Sequence, residues 1–526
     1  MDASVQSTRT ALEGIRLGEP PQLPPDNATL LAGLAPAHVR DSVLQNDLAP
    51  IHAKLPREML MNIFRHIVPS YRADIQFTHV CKLWRDLIHR TPEFWVDLLD
   101  SPNINWNRLG SERLSLLTSS IERSAPLPYK MPVYIGMDML QAILPHAQRI
   151  SSLLLMVSST SDLAAFLALD MPSLETLFVA GTNRNITFEG LPQRTGTFPR
   201  VQTLRVTLSV IHPALASPAL RTLVAYCGPD EHIGPLLDLF EACPQLQSLQ
   251  LELSMNRHHT SVITHLEERP VISLSRLRHC YILDNVYERP LLMSMWVSAF
   301  LQKVHYPITA QLRVNCPLAR YTRLSAFMPS SPPAPYICTL HALEVRFVSL
   351  APARPGEWRL MVKGYTDGSQ SLDISMTDAK WSDLARSSGP SSILFDLARS
   401  FSRAPSISLT TLQMDFDGCV SVVQNDWLLV LQALPTLDTF TVRIDSANRL
   451  LTVLRKNPGL CPGLRTLSIT CDNGSGVHGA LLTVVEHRVG EGQGLENLTF
   501  RGNKAAPLSD RRLERLRALV PNFVTF

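Results

Sequence analysis

The octapeptide Pro172-Ser173-Leu174-Glu175-Thr176-Leu177-Phe178-Val179 places its apolar residues in the spacing Leu-x-x-Leu-x-Val. The last two apolar positions alternate with outward neighbours, the period of a half-buried strand. The spacing recurs as Val201/Leu204/Val206, Leu220/Leu223/Ala225, Leu246/Leu249/Leu251 and Leu277/Cys280/Ile282. It continues as Leu340/Leu343/Val345, Leu409/Leu412/Met414, Leu437/Phe440/Val442, Leu464/Leu467/Ile469 and Leu495/Leu498/Phe500. Ile150/Leu153/Leu155 is a plausible first copy and Thr309/Leu312/Val314 a degenerate middle one. The regular copies start mostly 24 to 31 residues apart, with one step of 19.

Helical patterns lie between these strands, at Leu236 to Cys243, Trp427 to Leu434, Leu450 to Lys456 and Leu481 to His487, each followed by Pro or Gly. One strand–turn–helix unit cannot bury both its faces, whereas stacked units share a continuous core. Eight residues after the first apolar position the chain often carries a small polar residue, as at Asn285, Asp417, Asp445, Asp472 and Asn503. Such a side chain can bond the free backbone groups of the turn after a strand. Period and pattern together resemble leucine-rich repeats. The expected fold class is α/β, with a solenoid of short parallel strands and helices over 146–526. The register is lost over about 351–405, where Pro-rich Ala351 to Gly356 and Gly364 to Ser371 read as an inserted hairpin or loop, before Ile393 to Phe401 resumes a helix. Leu508 to Val520, with Arg511, Arg512, Arg515 and Arg517, reads as a helix with a solvated outer face that closes the array.

Composition excludes several function classes. Hydrophobic residues are 45% of the 526 and charged ones 18%, enough apolar material for large cores and too much for global disorder. Lys+Arg of 49 against Asp+Glu of 46 leaves a net charge of +3, which carries no nucleic-acid footprint. Nine scattered cysteines without a Cys-x-x-Cys argue against a disulfide framework and a structural zinc site, and point to a reducing compartment, cytoplasm or nucleus. Met1 to Glu19 is polar and no run approaches a membrane span. There is no nucleophile elbow, P-loop, dinucleotide fingerprint or His-Glu-x-x-His, and the His258-His259 pair has no ligand at coordinating distance in sequence. No catalytic residue, metal or cofactor is expected.

The segment before the repeats is organised differently. Residues 1–50, with Pro20, Pro21, Pro24 and Pro25, read as a flexible arm; 51–100 as a small helical module; 101–145 as a linker with transition helices. Pro56 suits the first position of a helix. Met59, Leu60, Ile63, Phe64 and Ile67 then make one apolar stripe, and Val80, Cys81, Trp84, Leu87 and Ile88 a second. Arg90-Thr91-Pro92 separates that helix from Phe94-Trp95-Val96.

Leu55-Pro56-Arg57-Glu58-Met59-Leu60, then Ile63-Phe64, then Val80-Cys81-Lys82-Leu83-Trp84-Arg85, then Pro92-Glu93-Phe94-Trp95 resemble an F-box in order and spacing, over about 45 residues. Val68 to Ile75 departs from the family's Leu-rich link. The resemblance implies binding to the Skp-family adaptor of a Skp–cullin–F-box ubiquitin ligase and, through it, to cullin and RING subunits. It implies an interface among Leu55, Pro56, Met59, Leu60, Ile63, Phe64, Val80, Cys81, Trp84, Leu87 and Trp95. An F-box followed by leucine-rich repeats is itself a family architecture, with fungal examples, and implies a non-enzymatic receptor for a protein substrate. On a solenoid the outward residues of the strands line the binding side, here Phe178, Arg205, Tyr226, Gln250, Tyr281, Glu344, Arg346, Gln413, Arg443 and Arg501. Tyr and Arg among them are common at binding hot spots. The rival reading is a repeat scaffold with no ubiquitin role.

Overall fold

In the computed structural model the described residues are 51, 54–69, 72–101, 104, 113–182, 186, 191, 198–227, 233–253, 269–284, 297, 299–307, 309–317, 324, 339–349, 358–366, 369–378, 384–402, 408–416, 422–472, 477–502 and 509–525. The arm 1–50, the His258-His259 pair, Ala351 to Gly356, and Asn285, Asp417 and Asn503 lie outside them. The chain divides into two compact units: residues up to Ile104 with Ser119–Leu127, and Asn105–Thr118 with Pro128–Phe526.

The first unit is helical: α1 (Arg57–His66), a 3-10 segment Arg72–His79, α2 (Lys82–His89) and α3 (Pro92–Asp100). Pro56 is the cap of α1 rather than its first helical residue, and its carbonyl accepts from the Met59 and Leu60 amides. Cys81 caps α2, its sulfur accepting from the Trp84 amide, so Val80 and Cys81 precede that helix. Pro92 opens α3, where its missing N–H costs nothing.

α4 (Arg113–Arg123) precedes the second unit's sheet, whose strands are β1 (Tyr129–Ile135), β2 (Ile150–Val157), β3 (Thr176–Gly181), β4 (Thr203–Thr207), β5 (Thr222–Cys227), β6 (Ser248–Leu253), β8 (His279–Asp284), β10 (Gln311–Pro317), β11 (Ala342–Ser349), β12 (Trp358–Thr366), β13 (Ser369–Asp378), β14 (Thr411–Phe416), β15 (Thr439–Ile444), β16 (Thr466–Cys471), β17 (Asn497–Gly502) and β18 (Asn522–Thr525). Two-residue strands β7 (Ile272–Ser273) and β9 (Val304–His305) pair separately. The helices are α5 (Met137–Ile143), α6 (Thr160–Leu167), α7 (Gly234–Ala242), α8 (Leu384–Ser402), α9 (Gln424–Ala433), α10 (Asn448–Lys456), α11 (Val477–Gly490) and α12 (Asp510–Leu519). Strand order is β1-β2-β3-β4-β5-β6-β8-β10-β13-β12-β11-β14-β15-β16-β17-β18, all parallel except at β12. The architecture is α/β with one large, mostly parallel sheet.

Each repeat copy read from the sequence is a strand of this sheet, and its two inner positions are buried. Leu177, Leu204, Leu223, Leu249, Cys280 and Leu312 sit side by side in one such line. Stacking turns each local alternation into a continuous apolar layer. Helices cover it: Trp427 of α9 meets both Phe416 of β14 and Phe440 of β15 edge-to-face at 6.2 Å. The short repeat step is the β4–β5 connection, which holds two 3-10 turns, Leu208–Val210 and Pro213–Leu215.

Two features depart from the sequence reading, and a third, the inserted hairpin it expects, keeps the sheet's register where that reading loses it. β1 starts the sheet ahead of the expected boundary at 146; Pro132 interrupts its run, which an edge strand tolerates, and hides the pattern. α12 is followed by β18, so that helix is not the last element. Within 351–405, β12 and β13 form an antiparallel hairpin inserted between β10 and β11, so β11 pairs with β14 and β13 with β10. The hairpin keeps phase with the sheet: Ile374, Val362 and Val345 align across three strands, all buried. Gly364 stands where its neighbours carry Leu343 and Leu372, and a Cβ there would lie 2.7 Å from Leu340 Cδ2. Glycine makes room for Leu340.

Candidate partner-binding surfaces

The helical unit packs around aromatic groups. Phe64 of α1 meets Trp84 of α2 edge-to-face at 5.2 Å, and Trp95 meets Phe94 the same way at 5.5 Å. The Trp95 indole N–H donates to the Ile88 carbonyl at 2.9 Å, and Arg123 lies over its ring at 4.7 Å. Arg65 of α1 pairs with Glu93 of α3 at 3.4 Å. Burial, then Arg123 and Arg85, hold the His89 imidazole below its usual pKa. Burial, then Glu93, raises the Asp97 carboxyl.

This packing divides the residues that the F-box resemblance assigns to an adaptor interface. Leu60, Phe64, Cys81, Leu87 and Trp95 are buried. Their side chains are consumed by the unit's own core and have no surface to offer, which corrects their place in that set. Leu55 and Trp84 are half-buried, and Pro56 is exposed. Met59 is 51% exposed, Ile63 44% and Val80 52%. Met59 and Ile63 stand one helical turn apart, beside the buried Leu60/Phe64 stripe.

The sheet's outward residues form rows because the strands keep register. One row runs Phe178, Arg205, Val224, Gln250, Tyr281, Arg313 from β3 to β10. It continues through Asp373, Lys363, Glu344 and Gln413. The next row contains Tyr226 beside Glu252, and then Arg346, Asp415, Arg443, Thr470 and Arg501 in succession. All ten residues read as outward from the sequence fall on these two rows. They differ in availability. Arg205, Gln413, Arg443 and Arg501 are exposed; Phe178, Tyr226, Gln250, Tyr281 and Arg346 are half-buried.

Glu344 is a correction. It is 9% exposed, ion-paired to Arg346, and accepts from the Tyr365 hydroxyl at 3.1 Å, so its charge is satisfied internally. Burial and that bond raise the Tyr365 phenol. The rings of Phe178 and Tyr226 stack at 5.6 Å although their strands are two apart, about 9.6 Å, so they converge over β4. Burial, then Glu252, raises the Tyr226 phenol. Arg313, which lies 5.6 Å over the Tyr281 ring, was hidden by its degenerate repeat copy. Lys363, Tyr365 and Asp373 were hidden in the inserted hairpin; the alternation Leu360/Val362 and Leu372/Ile374/Met376 is the signal that exposes them. Thr182, eight residues after Leu174, donates its hydroxyl to the carbonyl of Val157, the last residue of the neighbouring strand β2, at 3.3 Å, and so ties two strands rather than its own turn.

No protein-family model and no curated protein matches the chain. Among the described residues no three His, Cys, Asp or Glu groups come together as metal ligands, and no helix is long and apolar enough to cross a membrane. The described cysteines are buried and form no disulfide among themselves; burial pushes the Cys280 thiol up to about 12, which suits a packing role.

Proposed function

We propose that this chain is the substrate-recognition subunit of a Skp–cullin–F-box ubiquitin ligase. The helical unit is an F-box that holds the Skp-family adaptor, and the strand–helix array is a leucine-rich-repeat solenoid whose open face holds a target protein. The chain contributes no catalytic group; it contributes proximity, bringing the target beside the ubiquitin-charged enzyme that the cullin and RING subunits recruit.

One observation carries the reading. Large exposed apolar residues concentrate in a short segment: of the eleven among the described residues, Ile51, Met59, Ile63, Val68 and Val80 all lie within 30 residues. That segment is also the one with the F-box motif. A packed unit that leaves Met and Ile a turn apart on a helix surface presents the anchors of a helix-in-groove contact.

The test is a pull-down with a purified Skp-family adaptor. Wild type is expected to bind. A Met59→Glu, Ile63→Glu double variant is expected to lose binding while keeping its circular dichroism spectrum and melting temperature, because both side chains stand outside the core. A well-folded wild type that fails to bind would demote the helical unit to a structural cap and leave a repeat scaffold.

A further inference from the structure

The open face of the sheet is not uniform. From β3, β5 and β8 it presents Phe178, Tyr226, Tyr281 and Leu283. From β14 to β17 it presents Gln413, Thr441, Ser468, Thr470 and Thr499. Aromatic area, which is what a partner's anchors bury, is concentrated on β3 to β8, while Met361 and Tyr365 of β12 and Val524 of β18 add smaller patches farther along.

Charge on the outward face of β3 to β10 is net positive, two arginines against one glutamate. Arg205 and Arg313 are exposed and form no ion pair among the described residues. The acid there, Glu252, already accepts from the Gln250 amide at 2.7 Å. Two arginines outside ion pairs (Arg313 in register with Asp373 of β13 but not bonded to it), with Tyr226 and Tyr281 on strands between them, complement an acidic partner with apolar side chains between its charges. We propose that β3 to β10 receive an extended segment of the target protein carrying two carboxylates six residues apart, with apolar side chains between them. This deepens the reading that a target docks on the sheet.

The spacing follows from geometry. Arg205 and Arg313 share one row and are separated by the steps β4–β5–β6–β8–β10. Four steps of about 4.8 Å span about 19 Å. An extended chain rises about 3.3 Å per residue and covers that distance in about six residues. Six is even, so both carboxylates and the alternate residues between them face the sheet. A nucleic acid fits less well. Phe178 and Tyr226 stack on each other at 5.6 Å and 28°, leaving no slot for a base, and two arginines do not make a phosphate track.

The experiment is selection of a displayed random-peptide library on the full chain, with single-stranded oligonucleotide as competitor. Enriched peptides are expected to carry Asp or Glu with five residues between them and apolar residues at alternate intervening positions. Arg205→Glu and Arg313→Glu are each expected to reduce binding of an enriched synthetic peptide about tenfold or more, and Arg443→Glu and Arg501→Glu to leave it unchanged. Arg205→Gln and Arg313→Gln, which remove charge without reversing it, guard against a folding defect and are expected to fall between. The proposal is overturned by no enrichment, by enriched peptides indifferent to Arg205 and Arg313, or by displacement with the oligonucleotide. The adaptor takes no part in this assay. Enrichment on a chain that fails to bind adaptor sustains the surface and removes the ligase role; adaptor binding without enrichment does the reverse.

Discussion

Arg488 is 2% exposed in α11 and faces carbonyl oxygens, not a carboxylate. Its guanidinium donates to Gln493 at 3.2 Å, Leu460 at 3.1 Å, Cys461 at 3.1 Å and Leu464 at 3.4 Å. Three of these belong to the connection from α10 to β16, where Cys461 adopts a φ of 48°, a left-handed conformation costly for a residue with a Cβ. Burial pushes the Cys461 thiol up to about 12, so it stays protonated and donates to the Leu431 and Leu434 carbonyls. Arg488 therefore pins the strained turn of the preceding unit. Replacing it with Met keeps much of the volume and removes the donors. Cys461 keeps a second partner, the Leu464 amide at 3.0 Å, so the loss falls on Leu460 and Gln493 and, through the longest of the four bonds, on Leu464. Each carbonyl left without its donor costs about 1–3 kcal/mol, least for the long Leu464 bond, against which Met recovers part of the desolvation of a buried charge. The expected net loss is about 2–3 kcal/mol. Because stacked units can open separately, the assay is amide hydrogen exchange over residues 457–464. Exchange through that opening is expected to accelerate about 30- to 150-fold, with Arg488→Lys in between. An unchanged or slower rate for Arg488→Met would mean that desolvation outweighs the bonds and would refute the clamp.

Two further stability effects follow from single positions and from pH. Gly364→Ala is expected to destabilise by about 1–3 kcal/mol in urea unfolding, since its Cβ meets Leu340 Cδ2 at 2.7 Å; shortening that neighbour in Gly364→Ala, Leu340→Ala should relieve part of the clash, a coupling read by a double-mutant cycle. His89, His212 and His478 all titrate below the usual 6.5 in the folded chain, chiefly from burial, with Arg123 and Arg85 adding for His89 and Arg512 for His478. The unfolded chain then binds protons first, so this contribution to stability is fully present above about pH 6.5 and is lost as pH falls from there through the folded values. Unfolding free energy measured from pH 7.5 to 5 should decline below about 6.5, and His212→Gln should flatten the curve, because the His212 ring accepts from the Ala214 amide only when Nδ1 is unprotonated.

The repeat strands were legible because each is specified locally. In Leu174/Leu177/Val179 or Leu464/Leu467/Ile469 the apolar alternation states which side faces inward, and every copy states the same. The intervening helices followed from the 3.6-residue period, and α9, α10 and α11 fall where it placed them. Periodicity is a property of one segment, however, and says nothing about which segment lies alongside. Only the tertiary structure set β12 and β13 antiparallel between β10 and β11, gave the sheet β1 and β18, and brought Phe178 to Tyr226 across an intervening strand. It also decided which apolar groups of the helical unit are spent: Leu60 and Met59 are adjacent and both apolar, yet one packs inside and the other faces solvent. Glu344 and Arg488 show the same limit for polar groups. Their types suggest solvent, and their burial depends on Tyr365, Arg346 and the carbonyls of residues 460–464, partners supplied by other elements of the fold. Sequence alone determined the inward face of each repeated strand, because that information is local; neighbours, burial and charge pairing were decided in three dimensions, because each depends on groups distant along the chain.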